Sequence, residues 1–196
     1  EITTRLVGSE MCIRVRDKTE ENISIPATDM EHYAEHPDVI FVCVKGYSLQ
    51  ETIPFIKRIA RKNTIVIPVL NIYGTGGKMQ KELPDLLVTD GCIYVSANIK
   101  EPGKLLQHGQ ILHIVFGVRD KAEFRPELKE IQKDLCDSHI DGTLSENIRR
   151  EALEKFSYVS PIGAAGLYYH ATAADFQKEG EARELFKTCL LYTSPS

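Results

Sequence analysis

Two polar residues stand directly after apolar runs that have the pattern of buried β-strands. Lys45 follows DVIFVCV, and Asn71 follows IVIPVL. Runs that are apolar throughout and rich in β-branched residues are typical of parallel strands covered by helices on both faces. The carboxyl ends of such strands meet at the edge where open α/β sheets bind ligands, so the two residues predict a ligand site there. The simpler interpretation of either run alone is a core strand followed by a surface residue.

The segments around these residues alternate as in an α/β sheet. Ser48 and Glu51 have capping-box spacing, which predicts a helix from there to about Arg61. The glycine-rich segment YGTGGK then opens a second predicted helix, Lys78 to Leu83. Its glycines allow a phosphate to approach closely, but the Walker spacing is absent, so a turn is the simpler interpretation.

The remaining elements follow from hydrophobic periodicity and turn residues. We expect a hairpin over 13–25 with its turn at 20–22, strands over 91–97 and 111–118 joined by a turn at 102–103, and helices over 121–136, 146–159 and 173–187. The dipeptide Asp141-Gly142 is predicted to be a turn that ends the sheet domain. Beyond it the strand pattern disappears.

Composition excludes several classes of function. The 196 residues carry a net charge of -4 and no run of Lys and Arg interleaved with aromatic residues, which argues against nucleic-acid binding. No apolar stretch approaches the roughly 20 residues that cross a bilayer, so we expect no membrane segment and a cytoplasmic location. The five cysteines lack a CxxC pair, and His32 and His36 lack an HExxH context. We therefore predict neither disulfides nor a metal site.

Four segments occur in a fixed order over roughly residues 13–187: DVIFVCVKGYSLQET, IVIPVLNIYGTGG, SANIKEPGKLLQHGQILHIVFG and ENIRREALEKFSYVSPIGAAG. Together they resemble the ketopantoate reductase family. The resemblance implies a Rossmann domain followed by an all-helical domain, with the active site between them. It also implies NADPH-dependent reduction of a 2-oxoacid, most simply 2-dehydropantoate to (R)-pantoate in pantothenate synthesis.

The resemblance also implies roles for four residues. Lys45 matches a lysine beside cofactor and substrate, Asn71 an asparagine that contacts the nicotinamide ribose and the substrate, and Ala97 a residue packed near the cofactor. Lys155 matches the lysine that donates a proton to the ketone oxygen. An ammonium is chemically suited to this step because hydride addition leaves an alkoxide. The alternative for Lys155 is the solvated face of an amphipathic helix.

The chain departs from the family pattern in three respects. The family's C-terminal part, with a further Glu and Ser near the substrate, is expected to lie beyond this sequence. The dinucleotide fingerprint GxGxxG is missing. Val159 and Gly163 stand where the family has asparagines, so Ser157 or Ser160 are candidates for substrate contact. We therefore expect an internal fragment with little activity of its own, although its parent would be an enzyme.

The fold class expected is α/β, a partial doubly wound, Rossmann-like domain followed by the start of a helical domain. The domains expected are 13–143 for NADP binding and 144–188 for the helical part, with non-native or disordered tails at 1–12 and 189–196. The expected partner is a small 2-oxoacid, and a homodimer is the expected assembly. Two alternatives stay open: another hydroxyacid dehydrogenase of the 6-phosphogluconate-dehydrogenase-like group, and a non-catalytic nucleotide-binding module.

Overall fold

The computed structural model describes residues 8–16, 19–172 and 174–193. The strands within these ranges are β1 Gly8–Arg16, β2 Thr19–Ala27, β3 Val39–Val42, β4 Ile65–Pro68, β5 Leu87–Val88, β6 Asp90–Glu101, β7 Lys104–Gly117 and β8 Asp141–Leu144. The α-helices are α1 Leu49–Ile59, α2 Thr75–Glu82, α3 Glu127–Asp137, α4 Ile148–Tyr169 and α5 Glu181–Thr193.

A parallel sheet is formed by β3, β4 and β5 in that order. Every residue of the central strand β4 is buried, because helices cover both faces. On one face Val66 clusters with Ile56 of α1 and Met79 of α2. On the other, Ile67 clusters with Leu128 of α3. These layers confirm the predicted doubly wound α/β fold.

The long strand β7 organises a second, mixed sheet. Along one side it pairs antiparallel with β6, and along the other it pairs in parallel with β1 near its start and with β8 near its end. The backbone N–H of Thr89, one residue before β6, donates to the carbonyl of Val66 in β4 at 2.9 Å. Strand β6 therefore begins beside β4 and joins the two sheets.

The prediction that β3 is buried on both faces is wrong. Phe41 is 37% exposed, and the Cys43 that follows the strand is also exposed. Within the part of the chain that the structure describes, strand β3 pairs with β4 alone and forms the edge of its sheet. One side of the strand consequently remains open, although its sequence is as apolar as that of β4.

The predicted N-terminal hairpin is confirmed, but its turn lies elsewhere. Residues 20–22 pair with residues 13–15 inside the β1–β2 ladder, so they do not form the turn. Strand β1 begins at Gly8. Part of the predicted tail 1–12 is therefore a strand, and residues 1–7 lie outside the described residues.

Asp141 and Gly142 do not form the predicted turn. They begin β8, which extends the mixed sheet to Leu144. A side chain at Gly142 would place its Cβ 2.8 Å from the Cβ of Leu135, so this glycine allows α3 to approach the strand. The helix predicted from 146 is confirmed as α4, which continues to Tyr169.

Two further helix predictions need correction. Ser48 makes no side-chain capping hydrogen bond, because it already lies in a short 3-10 helix, Gly46–Ser48, that leads into α1. The helix predicted over 173–187 is α5, which begins later, at Glu181. Because α5 continues to Thr193, most of the expected C-terminal tail 189–196 is helical.

Candidate functional site

Lys45 and Asn71 lie at the same edge of the parallel sheet, as their strands predict. Val42 of β3 is paired with Pro68 of β4, and each of the two polar residues follows three positions after this pair. Both side chains are exposed. The edge therefore presents an ammonium and an amide group to solvent at the carboxyl ends of adjacent strands.

Helix α4 passes over β6 and β7 and closes a cleft of about 670 Å³ beside this edge. Its polar lining comes from Asn71, Ser96, His108, Gln110, Glu154 and Lys155. Its apolar lining comes from Ile93, Tyr94, Val95, Ile111, Tyr158 and Val159. The cleft thus combines hydrogen-bonding groups with a large apolar wall, as small-molecule sites commonly do.

The ammonium of Lys155 is held against the wall of the cleft. Its Nζ donates a hydrogen bond to the backbone carbonyl of Ile93 and lies 4.8 Å from the centroid of the Tyr94 ring. Burial lowers the pKa of Lys155, and the nearby Cys92 partly opposes this shift. A lysine with a lowered pKa is a better proton donor than an exposed one.

Asn71 reaches the same region from the sheet edge. It lines the cleft together with Lys155, and both also line a smaller crevice that adjoins Cys92 and Phe156. The Tyr73 ring packs against Phe156 of α4 with centroids 6.3 Å apart. This contact joins the loop that carries Asn71 to the helix that carries Lys155.

Tyr94 and His108 belong to the cleft, although the sequence prediction did not include them. Burial, followed by interactions with Cys92 and with the carboxylates Glu151 and Glu154, raises the pKa of Tyr94 to about 12. His108 lies 2.8 Å from the Oδ1 of Asn98 through its Nε2. The alternation of β6 predicts that Tyr94 shares a face with the buried Cys92, but it does not reveal that α4 crosses this face.

The other predicted site residues lie outside the lining of this cleft. Lys45 is exposed at the sheet edge. Ala97 is exposed beyond a shift in the β6–β7 register, and its neighbour Ser96 lines the cleft instead. Ser157 is buried and donates to the Glu154 carbonyl at 2.8 Å. Ser160 lines a separate cavity between α4 and α5.

The glycine-rich segment has a packing role in the structure. Helix α2 begins at Thr75, so Gly76 lies in its first turn, and a Cβ there would come 2.0 Å from the carbonyl oxygen of Thr89. Next to it Arg119 contacts Asp90 at 3.6 Å and donates to Gln80 at 3.3 Å. This group fixes the start of α2 against the start of β6.

Among the described residues, no cluster of three or more His, Cys, Asp and Glu side chains could hold a metal ion. Nor does any described helix have the length and apolarity that crossing a bilayer requires.

A family model for ketopantoate reductase PanE/ApbA matches residues 7–121, more than half of the chain. The chain belongs to this family. Its matched part contains both sheets except β8 and includes Asn71, whereas Lys155 lies beyond it.

Individual relatives of the ketopantoate reductase family are distant in sequence. The 2-dehydropantoate 2-reductase of Aquifex aeolicus strain VF5 is 19% identical over 158 residues, which are 81% of this chain and 51% of the relative. The chain therefore spans about half the length of this curated relative.

Solved structures share the fold at similarly low identity. A dimeric ketopantoate reductase from Staphylococcus aureus matches with a TM-score of 0.76 and 20% identity, over 94% of this chain and 60% of the other. A D-mandelate dehydrogenase, solved in a ternary structure with NADH and anilino(oxo)acetate, matches with a TM-score of 0.76 and 14% identity. The match covers 94% of this chain and 67% of the dehydrogenase. These likenesses show the fold alone.

Proposed function

We propose that this chain contributes the central cleft of an NADPH-dependent 2-oxoacid reductase that converts 2-dehydropantoate to pantoate. The observation that carries the proposal is the convergence of Asn71 and Lys155 on one cleft at the carboxyl edge of a parallel sheet. The family supports the reaction class, because its model is that of a ketopantoate reductase.

Lys155 would act as the proton donor. Bound NADPH would supply the hydride that reduces the ketone carbon. The Lys155 ammonium would give its proton to the ketone oxygen, so that the ketone becomes an alcohol and Lys155 a neutral amine. Burial lowers the pKa of Lys155, which brings proton transfer closer to neutral pH. The hydrogen bond to the Ile93 carbonyl orients the ammonium at the wall of the cleft.

Asn71 would bind and orient the reacting groups. Its exposed amide both donates and accepts hydrogen bonds, which suits a ribose hydroxyl and a substrate carboxylate. Lys45 lies at the same sheet edge, where it would hold cofactor oxygens, and Ala97 stays a predicted cofactor neighbour. Ser157 and Ser160 do not line the cleft. For either hydroxyl to contact the substrate, the substrate would have to bind outside this cleft.

The arrangement of domains stays part of this proposal. We place the end of the partial Rossmann domain at β8 and the start of the helical domain at α4. A homodimer is the assembly we expect, and the dimeric Staphylococcus aureus neighbour supports it.

The apolar wall of the cleft favours a second candidate substrate. Tyr94 and Tyr158 present aromatic rings to the same space as Lys155. An aromatic 2-oxoacid would pack against these rings, which makes an aryl hydroxyacid dehydrogenase the alternative. The neighbour solved with anilino(oxo)acetate is an enzyme of that kind.

The test is an assay of NADPH and NADH oxidation with 2-dehydropantoate, aliphatic 2-oxoacids and benzoylformate. Because this chain spans 51% of the Aquifex relative, the assay uses a protein of the relative's full length that contains this sequence. We expect fastest turnover with 2-dehydropantoate and NADPH. Fastest turnover with benzoylformate would identify the alternative, whereas NADPH binding without turnover of any 2-oxoacid would identify a non-catalytic module.

A further inference from the structure

We propose that Tyr94 is a positioning residue that holds the ammonium of Lys155 over the face of its ring and favours its protonated form. The Lys155 Nζ lies 4.8 Å from the Tyr94 ring centroid and also donates to the carbonyl of Ile93. Two consecutive residues of β6 therefore hold one ammonium, the first through its backbone and the second through its ring. A role of this contact in catalysis rests on the proposed function of Lys155. The contact itself is independent of that function.

The π face of a tyrosine attracts a cation because the ring quadrupole is negative there, and the attraction grows when water is excluded. Lys155 is only partly exposed, and burial lowers its pKa by disfavouring the charged form. The ring opposes this effect. Burial also raises the pKa of Tyr94 to about 12, so the ring stays a neutral phenol near neutral pH.

The orientation of the Tyr94 ring is fixed by the sheet. Tyr94 is paired directly with His113 across the β6–β7 ladder, and the two rings stack with centroids 5.5 Å apart at an interplanar angle of 22°. His113 in turn lies 3.1 Å from the Thr143 hydroxyl of β8 through its Nε2. Three neighbouring strands thus position the ring before any ligand binds.

Other titratable groups near the ammonium come from each surrounding element. Strand β6 contributes Cys92, β7 contributes His108 and His113, and α4 contributes Glu151 and Glu154. Burial raises the pKa of Cys92, so its thiol is neutral near neutral pH. The Tyr94 side chain also interacts with Cys92 through a hydrogen bond. Comparing Tyr94→Phe, which keeps the ring but loses this hydrogen bond, with Tyr94→Leu, which loses both, separates the contribution of the ring.

The test is competitive labelling of lysines with trace acetic anhydride over a range of pH, followed by mass spectrometry of the peptide containing Lys155. Only the neutral amine reacts, so the labelling rate reports its population without any need for cofactor or turnover. Exposed Lys62 and Lys81 serve as references within the same sample. A failure of the proposed reaction would leave this measurement unaffected.

We expect Tyr94→Leu to raise Lys155 labelling about threefold to tenfold at a pH below its pKa, because the loss of a partly desolvated cation–π contact favours the neutral amine. Tyr94→Phe should leave the rate near that of the wild type, since the π face remains. Tyr94→Trp should lower it, and this variant tests the proposal even if Tyr94→Leu fails to fold.

Tyr158→Leu is the matched control, because Tyr158 lines the same cleft but packs edge-on against Phe186 with centroids 6.0 Å apart. It should not change Lys155 labelling. The proposal is overturned if Tyr94→Leu and Tyr94→Trp both label like the wild type. It is equally overturned if Tyr94→Phe matches Tyr94→Leu, or if Tyr158→Leu raises the rate as much as Tyr94→Leu does.

Discussion

Lys155 in α4 donates a hydrogen bond to the backbone carbonyl of Ile93 in β6, although 62 residues separate them in sequence. The contact joins the first helix after the sheets to the strand that borders the cleft. It also determines where the ammonium lies relative to Asn71, which reaches the cleft from the end of β4. The geometry of the candidate site therefore depends on how α4 packs on the mixed sheet.

Replacing Lys155 by methionine separates its chemical role from its structural one. We expect the free energy of unfolding to change by about 1 kcal/mol or less, because the lost hydrogen bond is offset by removal of a partly buried charge. In the full-length enzyme, kcat should fall by about two orders of magnitude or more if Lys155 is the proton donor. Urea unfolding and steady-state kinetics measure the two effects. Exposed Lys62→Met is the control, and a much larger loss of stability than of turnover would contradict the assignment.

Gly76 and Gly77 form a matched pair for testing the packing of α2. A Cβ at Gly76 would meet the Thr89 carbonyl oxygen at 2.0 Å, whereas at Gly77 the nearest atom lies 3.9 Å away. Gly76→Ala should therefore lower the free energy of unfolding by about 1–3 kcal/mol or more. Gly77→Ala should be neutral or stabilising by up to about 1 kcal/mol, because alanine is the better helix former. Equal urea midpoints for the two variants would show that the structure accommodates a Cβ at Gly76 without loss of stability.

The pair formed by Arg119 and Asp90 is expected to matter for stability because both side chains are nearly buried, at 11% and 9% exposure, with N and O 3.6 Å apart. Asp90→Ala leaves the Arg119 guanidinium buried without its carboxylate, and we expect a loss of about 3 kcal/mol in thermal or urea unfolding. The control is Glu184→Gln in the exposed pair with Lys187, which should leave the unfolding midpoint unchanged. A small effect of Asp90→Ala would indicate that water reaches Arg119.

The parallel sheet could be predicted because the residue types of its strands indicate both β-structure and burial. The apolar runs of β3 and β4 identify parallel strands, and the pairing of Val42 with Pro68 then aligns Lys45 with Asn71. The same signal failed for the burial of β3. The side chains of β3 resemble those of a central strand. The sequence of the strand does not indicate whether another strand pairs with its far edge.

The cleft could be predicted only in part. Lys155, Tyr158 and Val159 share one face of α4 at helical spacing and all line the cleft. Ser157 and Ser160 lie on other faces, so the helical period alone argues against them. Tyr94 could not be assigned a role, because its contact depends on α4 crossing β6 about sixty residues away in the chain.

The ionisation of Tyr94 is expected to affect the stability of the chain at alkaline pH. Its pKa is raised from 10.0 to about 12 in the folded chain, chiefly by burial, so the unfolded chain loses this proton at lower pH than the folded chain. The stabilisation from the neutral phenol is fully present below pH 10.0 and is lost as the pH rises through about 12. Wild type should therefore lose stability relative to Tyr94→Phe across this interval. Urea midpoints of both proteins at several pH values measure the difference, with Tyr192→Phe, at a position 92% exposed, as the control. A difference between wild type and Tyr94→Phe that stays constant from pH 9 to 12 would show that Tyr94 ionises alike in the folded and unfolded chains.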